Sequence, residues 1–436
     1  MGSNSSFIKQ FSFGADIPQD GLFQVTSRTL YSEELGYGFM TESNILENDL
    51  FQIPELNSAF TLAPDFTSKQ VTNIITESTY CYSDKNNIPL VFKVKVPSSG
   101  NYHVTLSMGA LQSETKVTVF SERRRCVLLN QVIKPGEILE HRFTANVCEI
   151  IPRGKRSIYQ DNMLDIAIVG KKPLIKKLIV ESTLDIPTLY LAGDSTVTDQ
   201  GADYPYDPVY SYCGWGQMLP LLFSPEIAIS NHAHSGLSTE SFKPHWEIVE
   251  KNIKPGDWFF IQFGHNDQKR SSLAPFGGYA ENLRYYVKNV KAQGAYPVII
   301  SPVSRTLWNK DGSFNDLLRN YAEASRQVAE EMAVPFIDLH ARSVELIKKF
   351  GPQDSLRFFY PGDFTHFNDF GGFEMAKLVY QELLAQDVKP LVNYLKPMAK
   401  DELKPVLPST AAESILDKDG LGGPIPPGAV HIPLED

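Results

Sequence analysis

Four short segments of the chain carry polar side chains of the kinds that hydrolytic enzymes use. Gly193-Asp194-Ser195 ends an apolar run, Gly236 lies in a loop rich in histidine and serine, and Asn266 follows another apolar run. Asp363 and His366 stand three residues apart near the C-terminus. Hydrolysis by a serine needs a hydroxyl nucleophile, an imidazole that takes its proton, a carboxylate that orients the imidazole, and donors for the oxyanion. The four segments together contain all of these groups.

The elements that position these groups belong to a region of alternating strand and helix patterns, residues 186–386. Its short apolar runs predict strands buried on both faces of a parallel sheet, and the helical patterns between them predict a doubly wound α/β domain. In such a sheet, sites form where the carboxyl ends of the strands meet the following loops. Ser195, Gly236 and Asn266 each follow a predicted strand, so the pattern places them at one edge of the sheet.

Residues 1–185 and 387–436 have different patterns. The first segment contains many short alternating runs between Gly, Pro and Asn turns, as in Leu90–Gly109, which predicts an all-β sandwich or jelly roll. The last segment is rich in proline and predicts an extended C-terminal arm. The chain of 436 residues is therefore expected to form two domains and a tail.

Composition excludes several classes of partner. The net charge is −10 without a long basic run, which argues against nucleic acid, and the short Arg123–Arg125 run predicts a solvated edge. No apolar stretch approaches the roughly 20 residues that span a bilayer. The N-terminus lacks the apolar segment of a signal peptide, and the four cysteines are scattered, which favours a reducing cytoplasm. The alternative is a secreted protein whose signal has been removed. An oligomer is possible.

The four polar segments also carry a family resemblance. GDST, the glycine of NHAHSG, GHND and DFTH resemble the four blocks of the SGNH (GDSL-type) hydrolases. GHNDQK and DFTHFN resemble the rhamnogalacturonan acetylesterases in particular, and YSEELGYGF and SPVSRTLW are similar to their bacterial members. The resemblance implies a flavodoxin-like, three-layer hydrolase domain preceded by a galactose-binding-like β-domain. It covers nearly the whole chain except the proline-rich tail.

The resemblance also implies roles for individual residues. Ser195 would be the nucleophile, with Asp363 and His366 as its partners. The N–H groups of Ser195 and Gly236 and the side chain of Asn266 would bind the oxyanion. The sequence departs from the family at HAHSGLS, where Gly-Arg-Ser is common. That departure affects the expected substrate contacts rather than the role of the glycine.

The substrate implied by the resemblance is acetylated rhamnogalacturonan, a pectin that carries carboxylates. Because the protein is acidic, a local cation must offset the repulsion, and Lys269, Arg270 and Arg305 on strand-end loops are the candidates. Trp215 is a candidate platform for a sugar ring. Acetylated xylan fragments are the alternative substrate, and a carbohydrate-binding protein is the alternative without catalysis.

No metal or other cofactor is expected. His232 and His234 form a His-x-His pair, but no carboxylate cluster stands at ligand spacing beside them. A metallophosphoesterase would need an Asp-x-His upstream of the Gly-Asp strand, whereas Asp338-Leu339-His340 lies downstream. These observations favour a metal-independent serine esterase.

Overall fold

A computed structural model describes residues 7–18, 20–40, 60–62, 74–152, 156–183 and 185–405 of the chain. The chain divides into two compact units whose sequences interleave. The β unit comprises Met1–Ile186 together with Gly201–Asp207 and Ser224–Ile229. The α/β unit comprises Pro187–Gln200, Pro208–Phe223 and Ser230–Asp436.

The β unit contains two main sheets, and its described strands follow in chain order: β1 (Ile8–Phe13), β2 (Phe23–Val25), β3 (Tyr37–Phe39), β4 (Phe60–Leu62), β5 (Ile74–Thr76), β6 (Cys81–Ser83), β7 (Leu90–Lys95), β8 (Gly100–Gly109), β9 (Thr115–Ser121), β10 (Arg125–Ile133), β11 (Ile138–Val147), β12 (Met163–Gly170) and β13 (Leu174–Thr183). One sheet has the order β11-β8-β13-β1-β2, with β6 beside β13 and β5 beside β6. The other has the order β10-β9-β12-β7-β3. Most neighbouring strands are antiparallel, which agrees with the predicted all-β class.

Alternating apolar residues of both sheets share one core. Phe11 and Phe13 of β1 contact Phe92 of β7 at ring-centroid distances of 5.3 and 5.1 Å, respectively. All three side chains are almost completely buried. Burial of such side chains contributes about 1.5–3 kcal/mol each, so this contact between the sheets is a major source of the unit's stability.

The prediction that Arg123–Arg125 form a solvated edge is wrong, because the three side chains are only 5%, 0% and 3% exposed. Arg125 donates through Nη1 to the carbonyl of Ile229 and through Nη2 to that of Asn146. The guanidinium of Arg124 lies 5.3 Å from the ring centre of Phe120. Arg125 thus contacts backbone carbonyls and Arg124 an aromatic ring, where the sequence pattern predicted contact with water.

The α/β unit contains a parallel sheet with the order β16-β14-β17-β18-β19. Its strands are β14 (Thr188–Gly193), β16 (Ala228–Asn231), β17 (Trp258–Gln262), β18 (Tyr296–Ile300) and β19 (Phe336–Ile337), while β15 (Ala202–Tyr204) pairs with β4 in the β unit. This is the 2-1-3-4-5 order of doubly wound folds. The predicted α/β class of this unit is confirmed.

Helices cover the parallel sheet, and those described are α1 (Lys243–Asn252), α2 (Ala280–Ala292), α3 (Arg319–Glu331), α4 (Leu339–Asp354) and α5 (Asp369–Ala385). One face of β14 and β17 packs in a core with α1, α2 and α3. Helix α5 contacts α4 and β19, and it also contacts the 3₁₀ helix Trp215–Leu221. No described helix is both long enough and apolar enough to cross a bilayer.

Only the first part of the predicted proline-rich arm lies within the described residues. Residues 387–405 pack within the α/β unit, where Leu391 is fully buried and Tyr380 of α5 donates through its hydroxyl to the carbonyl of Lys396. Lys377 of α5 donates to the carbonyls of Glu402 and Lys404. Residues 406–436, the rest of the predicted arm, lie outside the described residues.

The interleaving of the two units predicts that a fragment of residues 187–436 is unstable. Its segments 201–207 and 224–229 belong to the β unit, and β15 would lose its partner β4. We expect the fragment to be insoluble, or to unfold at least about 5 °C below the full chain, since 1 kcal/mol shifts the Tm of a domain of this size by roughly 2–4 °C. Thermal unfolding of both proteins provides the measurement. A soluble fragment with an unchanged Tm would contradict the prediction.

Candidate active site

The turn after β14 presents Ser195 through close packing around Gly193. A Cβ atom at Gly193 would lie 2.4 Å from Cγ2 of Val197, so only glycine fits. Asp194 then accepts hydrogen bonds from the backbone N–H and the hydroxyl of Thr196 at 2.9 and 2.7 Å. This side-chain-to-backbone turn ends the strand and fixes the position of Ser195.

Ser195, His366 and Asp363 form a continuous hydrogen-bonded chain. The hydroxyl of Ser195 lies 2.8 Å from Nε2 of His366, and Nδ1 of His366 lies 2.7 Å from Oδ2 of Asp363. With Nδ1 protonated and donating to the carboxylate, Nε2 is free to accept the serine proton. The structure therefore brings together the three residues that the sequence pattern selected, although 171 positions separate Ser195 from His366.

The loop around Asp363 keeps its carboxylate ionised. Burial alone would raise the pKa of Asp363, but the hydrogen bond from His366 and the positive charge that His366 can carry outweigh burial and lower the pKa. Oδ1 also accepts the backbone N–H groups of Thr365 and His366 at 2.7 and 3.0 Å. Because the carboxylate stays charged at neutral pH, it can orient the imidazole and stabilise an imidazolium.

The loops after β14, β16 and β17 carry the three N–H donors that the sequence pattern assigned to an oxyanion. Among the described residues, the backbone N–H groups of Ser195 and Gly236 donate no hydrogen bond. Gly236 has φ +87°, a conformation that favours glycine. Asn266 donates one amide hydrogen to the carbonyl of Leu237 at 2.9 Å, and its amide oxygen accepts from Lys269 at 2.8 Å. The second amide hydrogen therefore remains available, and Lys269 fixes which end of the amide carries it.

Buried carboxylates connect the loops that hold these donors. Asp194 accepts from Nδ1 of His265 at 3.2 Å, which joins the loops after β14 and β17. Asp267 accepts from the backbone N–H and hydroxyl of Thr239 at 3.0 and 2.6 Å, which joins the loops after β17 and β16. Burial lowers the pKa of His265, although Asp194 opposes the shift.

The three predicted cations occupy different environments. Arg270 is exposed and pairs with Glu240 at 3.0 Å, so its charge is already balanced on the surface. Lys269 contacts Asn266 as described above. Arg305 is only 4% exposed, and among the described residues neither its Nε nor its Nη1 has a hydrogen-bond partner. Arg305 is thus the candidate with unpaired donors, and both of these nitrogens are buried.

Arg305 also lies within electrostatic range of the hydrogen-bonded chain. Burial lowers its pKa to about 10, while the charges of Asp194 and Asp363 oppose the shift, so the guanidinium remains charged at neutral pH. The adjacent residue Thr306 donates its backbone N–H to the carbonyl of Phe364 at 3.0 Å. This bond places the loop after β18 beside the loop that carries Asp363.

The prediction of Trp215 as a sugar platform is wrong. Its side chain is completely buried, and its indole N–H donates to Oε1 of Gln262 at 2.8 Å. The sequence analysis missed Tyr212, which is 38% exposed and has its ring centre 5.9 Å from that of His366. The aromatic segment Tyr210–Trp215 could have pointed to Tyr212, but the residue types do not show which of its side chains are exposed.

The His-x-His pair makes ordinary protein contacts. Nε2 of His232 lies 2.9 Å from the hydroxyl of Ser230, and the backbone N–H of His234 donates to the carbonyl of Gly193. Within the described ranges, no group of three or more His, Cys, Asp or Glu side chains is arranged to bind a metal ion. That the protein needs no metal ion stays a prediction, which chelation can test.

Comparisons with known proteins agree with the resemblance noted in the sequence. The profile of the GDSL-like Lipase/Acylhydrolase family matches residues 191–371. The rhamnogalacturonan acetylesterase RhgT of Bacillus subtilis is 36% identical over 206 residues, which cover 44% of this chain and 87% of RhgT. The uncharacterized esterase YxiM of the same organism is 27% identical over 394 residues, which cover 87% of this chain and 92% of YxiM.

The crystal structure of the YxiM protein aligns with 88% of this chain and 99% of its own, with a TM-score of 0.46 and 24% identity. In the sequence comparisons, the similarity to YxiM extends over most of the chain, whereas that to RhgT covers less than half.

The buried carboxyl of Asp267 predicts a pH-dependent stability. Burial, the leading cause, raises its pKa to about 7, whereas an unfolded aspartate titrates near 3.9. The folded state holds the proton more tightly, so its stability falls as the pH rises between these two values. Asp267→Asn retains an Oδ1 acceptor for Thr239 and does not titrate. We expect the free energy of unfolding of the variant, relative to that of wild type, to rise by roughly 1–3 kcal/mol from pH 5 to pH 8.

Urea unfolding at both pH values measures this difference. Asp311→Asn, which changes a fully exposed aspartate on a turn, is the matched control. Its free energy of unfolding relative to wild type should be the same at pH 5 and at pH 8. An effect of Asp267→Asn that is independent of pH would mean that the folded protein keeps this carboxylate ionised.

Proposed function

The chain belongs to the GDSL-like lipase/acylhydrolase family and is a carboxylic ester hydrolase, and we propose that it removes acetyl groups from O-acetylated carbohydrate. The observation that carries the mechanism is the hydrogen-bonded chain from Ser195 through His366 to Asp363. The carbohydrate substrate is supported by the relative RhgT, which is named as a rhamnogalacturonan acetylesterase.

In the proposed acylation step, Ser195 attacks the acetyl carbonyl. His366 takes the hydroxyl proton through Nε2 as the bond between Oγ and the carbonyl carbon forms, and Asp363 stabilises the resulting imidazolium. The N–H groups of Ser195 and Gly236 and the free amide hydrogen of Asn266 bind the oxyanion. Collapse of the tetrahedral intermediate breaks the bond to the sugar oxygen, which receives the proton from His366.

In the proposed deacylation step, water attacks the acetyl group on Ser195. His366 accepts a proton from this water, and the same donors bind the second oxyanion. The proton then returns to Oγ of Ser195 as acetate leaves. No metal ion takes part in either step.

The finer proposal is that the sugar carries a carboxylate, as in the galacturonic acid of pectin. Arg305 supports it, because a buried guanidinium with unpaired donors gains a strong, charge-assisted partner when a carboxylate binds. The positive charge of Arg305 is also one cause, after burial, of a lowered pKa at Lys269. Two cations that raise each other's electrostatic energy favour an anion beside them.

For the β unit, we propose the galactose-binding-like jelly roll that its two sheets and sequence resemblance suggest. Its function would be to stabilise the hydrolase rather than to supply catalytic groups. The segments 201–207 and 224–229, which the β unit takes from within the hydrolase sequence, support this proposal.

Substitution of the nucleophile tests the mechanism. Ser195→Ala should lower kcat for 4-nitrophenyl acetate on the order of 10⁴-fold or more, because the three residues act as a unit.

Asn266→Ala should lower kcat by about 10²–10³ with little change in KM, since its donor acts mainly in the transition state. EDTA should have no effect. Near-normal rates in Ser195→Ala, or loss of activity on chelation, would refute the mechanism.

A second experiment tests the substrate. Acetate release is compared between acetylated rhamnogalacturonan oligosaccharides and their carboxyl-reduced, neutral forms, with acetylated xylo-oligosaccharides as a further substrate. Arg305→Met should raise KM by roughly 10–100-fold for the acidic substrate, as expected for a lost hydrogen bond to a charged group. KM for the neutral form should remain within about twofold of wild type.

Arg326→Met is the matched control, because it removes the same charge from an exposed position on α3 that pairs with Glu323 and Glu330. It should leave KM for both substrates unchanged. A wild-type preference for xylan would refute the pectin substrate but not the esterase. Equal losses on acidic and neutral substrates in Arg305→Met would show that Arg305 acts through the protein instead of through the substrate carboxylate.

A further inference from the structure

An aromatic pair lies directly beside the imidazole of the proposed active site. The rings of Tyr212 and Tyr360 stack with centroids 3.8 Å apart and planes 13° from parallel. The Tyr212 ring also stands perpendicular to the ring of His366, with centroids 5.9 Å apart. No step of the proposed mechanism uses either tyrosine.

Backbone hydrogen bonds hold both tyrosines to the loop that carries His366. Cys213, next to Tyr212, donates its N–H to the carbonyl of Phe367 at 2.9 Å. Tyr360 donates its own N–H to the carbonyl of His366 at 2.9 Å, and its carbonyl accepts from the N–H of Asp363. The pair is therefore fixed relative to the reacting groups, which is what a substrate contact requires.

Tyr212 remains accessible to solvent although it packs against two other rings. The residue is 38% exposed, and Tyr360 stacks on one face of its ring. Burial, followed by the negative charge of Asp363 and by Tyr360, raises the pKa of Tyr212 to about 12. The ring is thus neutral at working pH and offers an uncharged surface beside His366.

We propose that Tyr212, supported by Tyr360, is a binding platform for a pyranose ring of the acetylated oligosaccharide. The C–H face of a pyranose is apolar and matches the accessible surface of an aromatic ring, while its hydroxyls remain in water. Because the platform touches His366, a sugar on it lies next to the ester that Ser195 attacks. This inference rests on the proposed carbohydrate substrate and adds the residue that recognises the sugar ring.

The experiment compares an acetylated oligosaccharide with ethyl acetate, which has the ester but no ring. Tyr212→Ala should raise KM for the oligosaccharide about tenfold, the effect of losing one aromatic contact, and should change KM and kcat for ethyl acetate by less than about twofold. The deacetylated oligosaccharide should inhibit ethyl acetate hydrolysis about tenfold more weakly in this variant than in wild type. Tyr212→Phe keeps the ring and should retain wild-type values.

Tyr285→Ala is the matched control, since it removes a tyrosine of similar exposure, 42%, from the surface of α2. It should leave KM and kcat for both substrates, and inhibition by the deacetylated oligosaccharide, unchanged. Equal losses of kcat on both substrates, or a shifted pH profile with ethyl acetate, would show that Tyr212 only positions His366 and would overturn the proposal. If wild type hydrolyses ethyl acetate but no acetylated oligosaccharide, the proposed carbohydrate substrate fails, and the platform fails with it.

Discussion

The carboxylate of Asp194 is completely buried, and such a group is stable only when hydrogen bonds replace the water it has lost. Thr196 supplies two of these bonds and His265 supplies the third. Thr196 lies in the turn after β14, and His265 lies in the loop after β17. The need to satisfy this carboxylate therefore fixes the turn that presents Ser195 against the loop that carries Asn266.

The same principle extends to the neighbouring loop through Asp267 and Thr239. This contact is weaker as an anchor, because only one carboxylate oxygen is bonded and the other is buried without a partner among the described residues. Burial accordingly raises the pKa of Asp267, whereas hydrogen bonds and the charge of His265 lower that of Asp194 despite its burial. Two aspartates at the same sheet edge thus have opposite pKa shifts, and after burial the leading cause of the difference is the charge of His265, which acts on Asp194.

The charged and aromatic side chains around the proposed nucleophile have two different proposed roles, proton transfer and substrate binding. The Asp363 carboxylate is paired with His366, and we propose that it serves the proton transfer. The Arg305 guanidinium, by contrast, interacts with Asp194 and Asp363 only at a distance and keeps two donors unpaired among the described residues. Tyr212 adds an uncharged surface on the side of His366. An acidic sugar ring would need both of these features, which is why we assign the cation and the aromatic platform to one substrate.

The sequence by itself determined the α/β class and the polar residues expected at the sheet edge, and its resemblance to known hydrolases gave the esterase family. It could do so because buried parallel strands have a distinct apolar pattern and because their carboxyl ends lie at one edge, so residues far apart in the chain could be expected to meet. The hydrogen bonds among Ser195, His366 and Asp363 agree with that expectation, while their catalytic roles stay a proposal.

Only the tertiary structure decided which members of a local cluster are accessible. Trp215 and Tyr212 lie three residues apart in the same aromatic segment, yet one is fully buried and the other is 38% exposed. Arg123–Arg125 are buried against carbonyls and an aromatic ring, although a run of three arginines is typical of a surface. Burial depends on what distant parts of the chain place against a side chain, and a local sequence pattern does not contain that information.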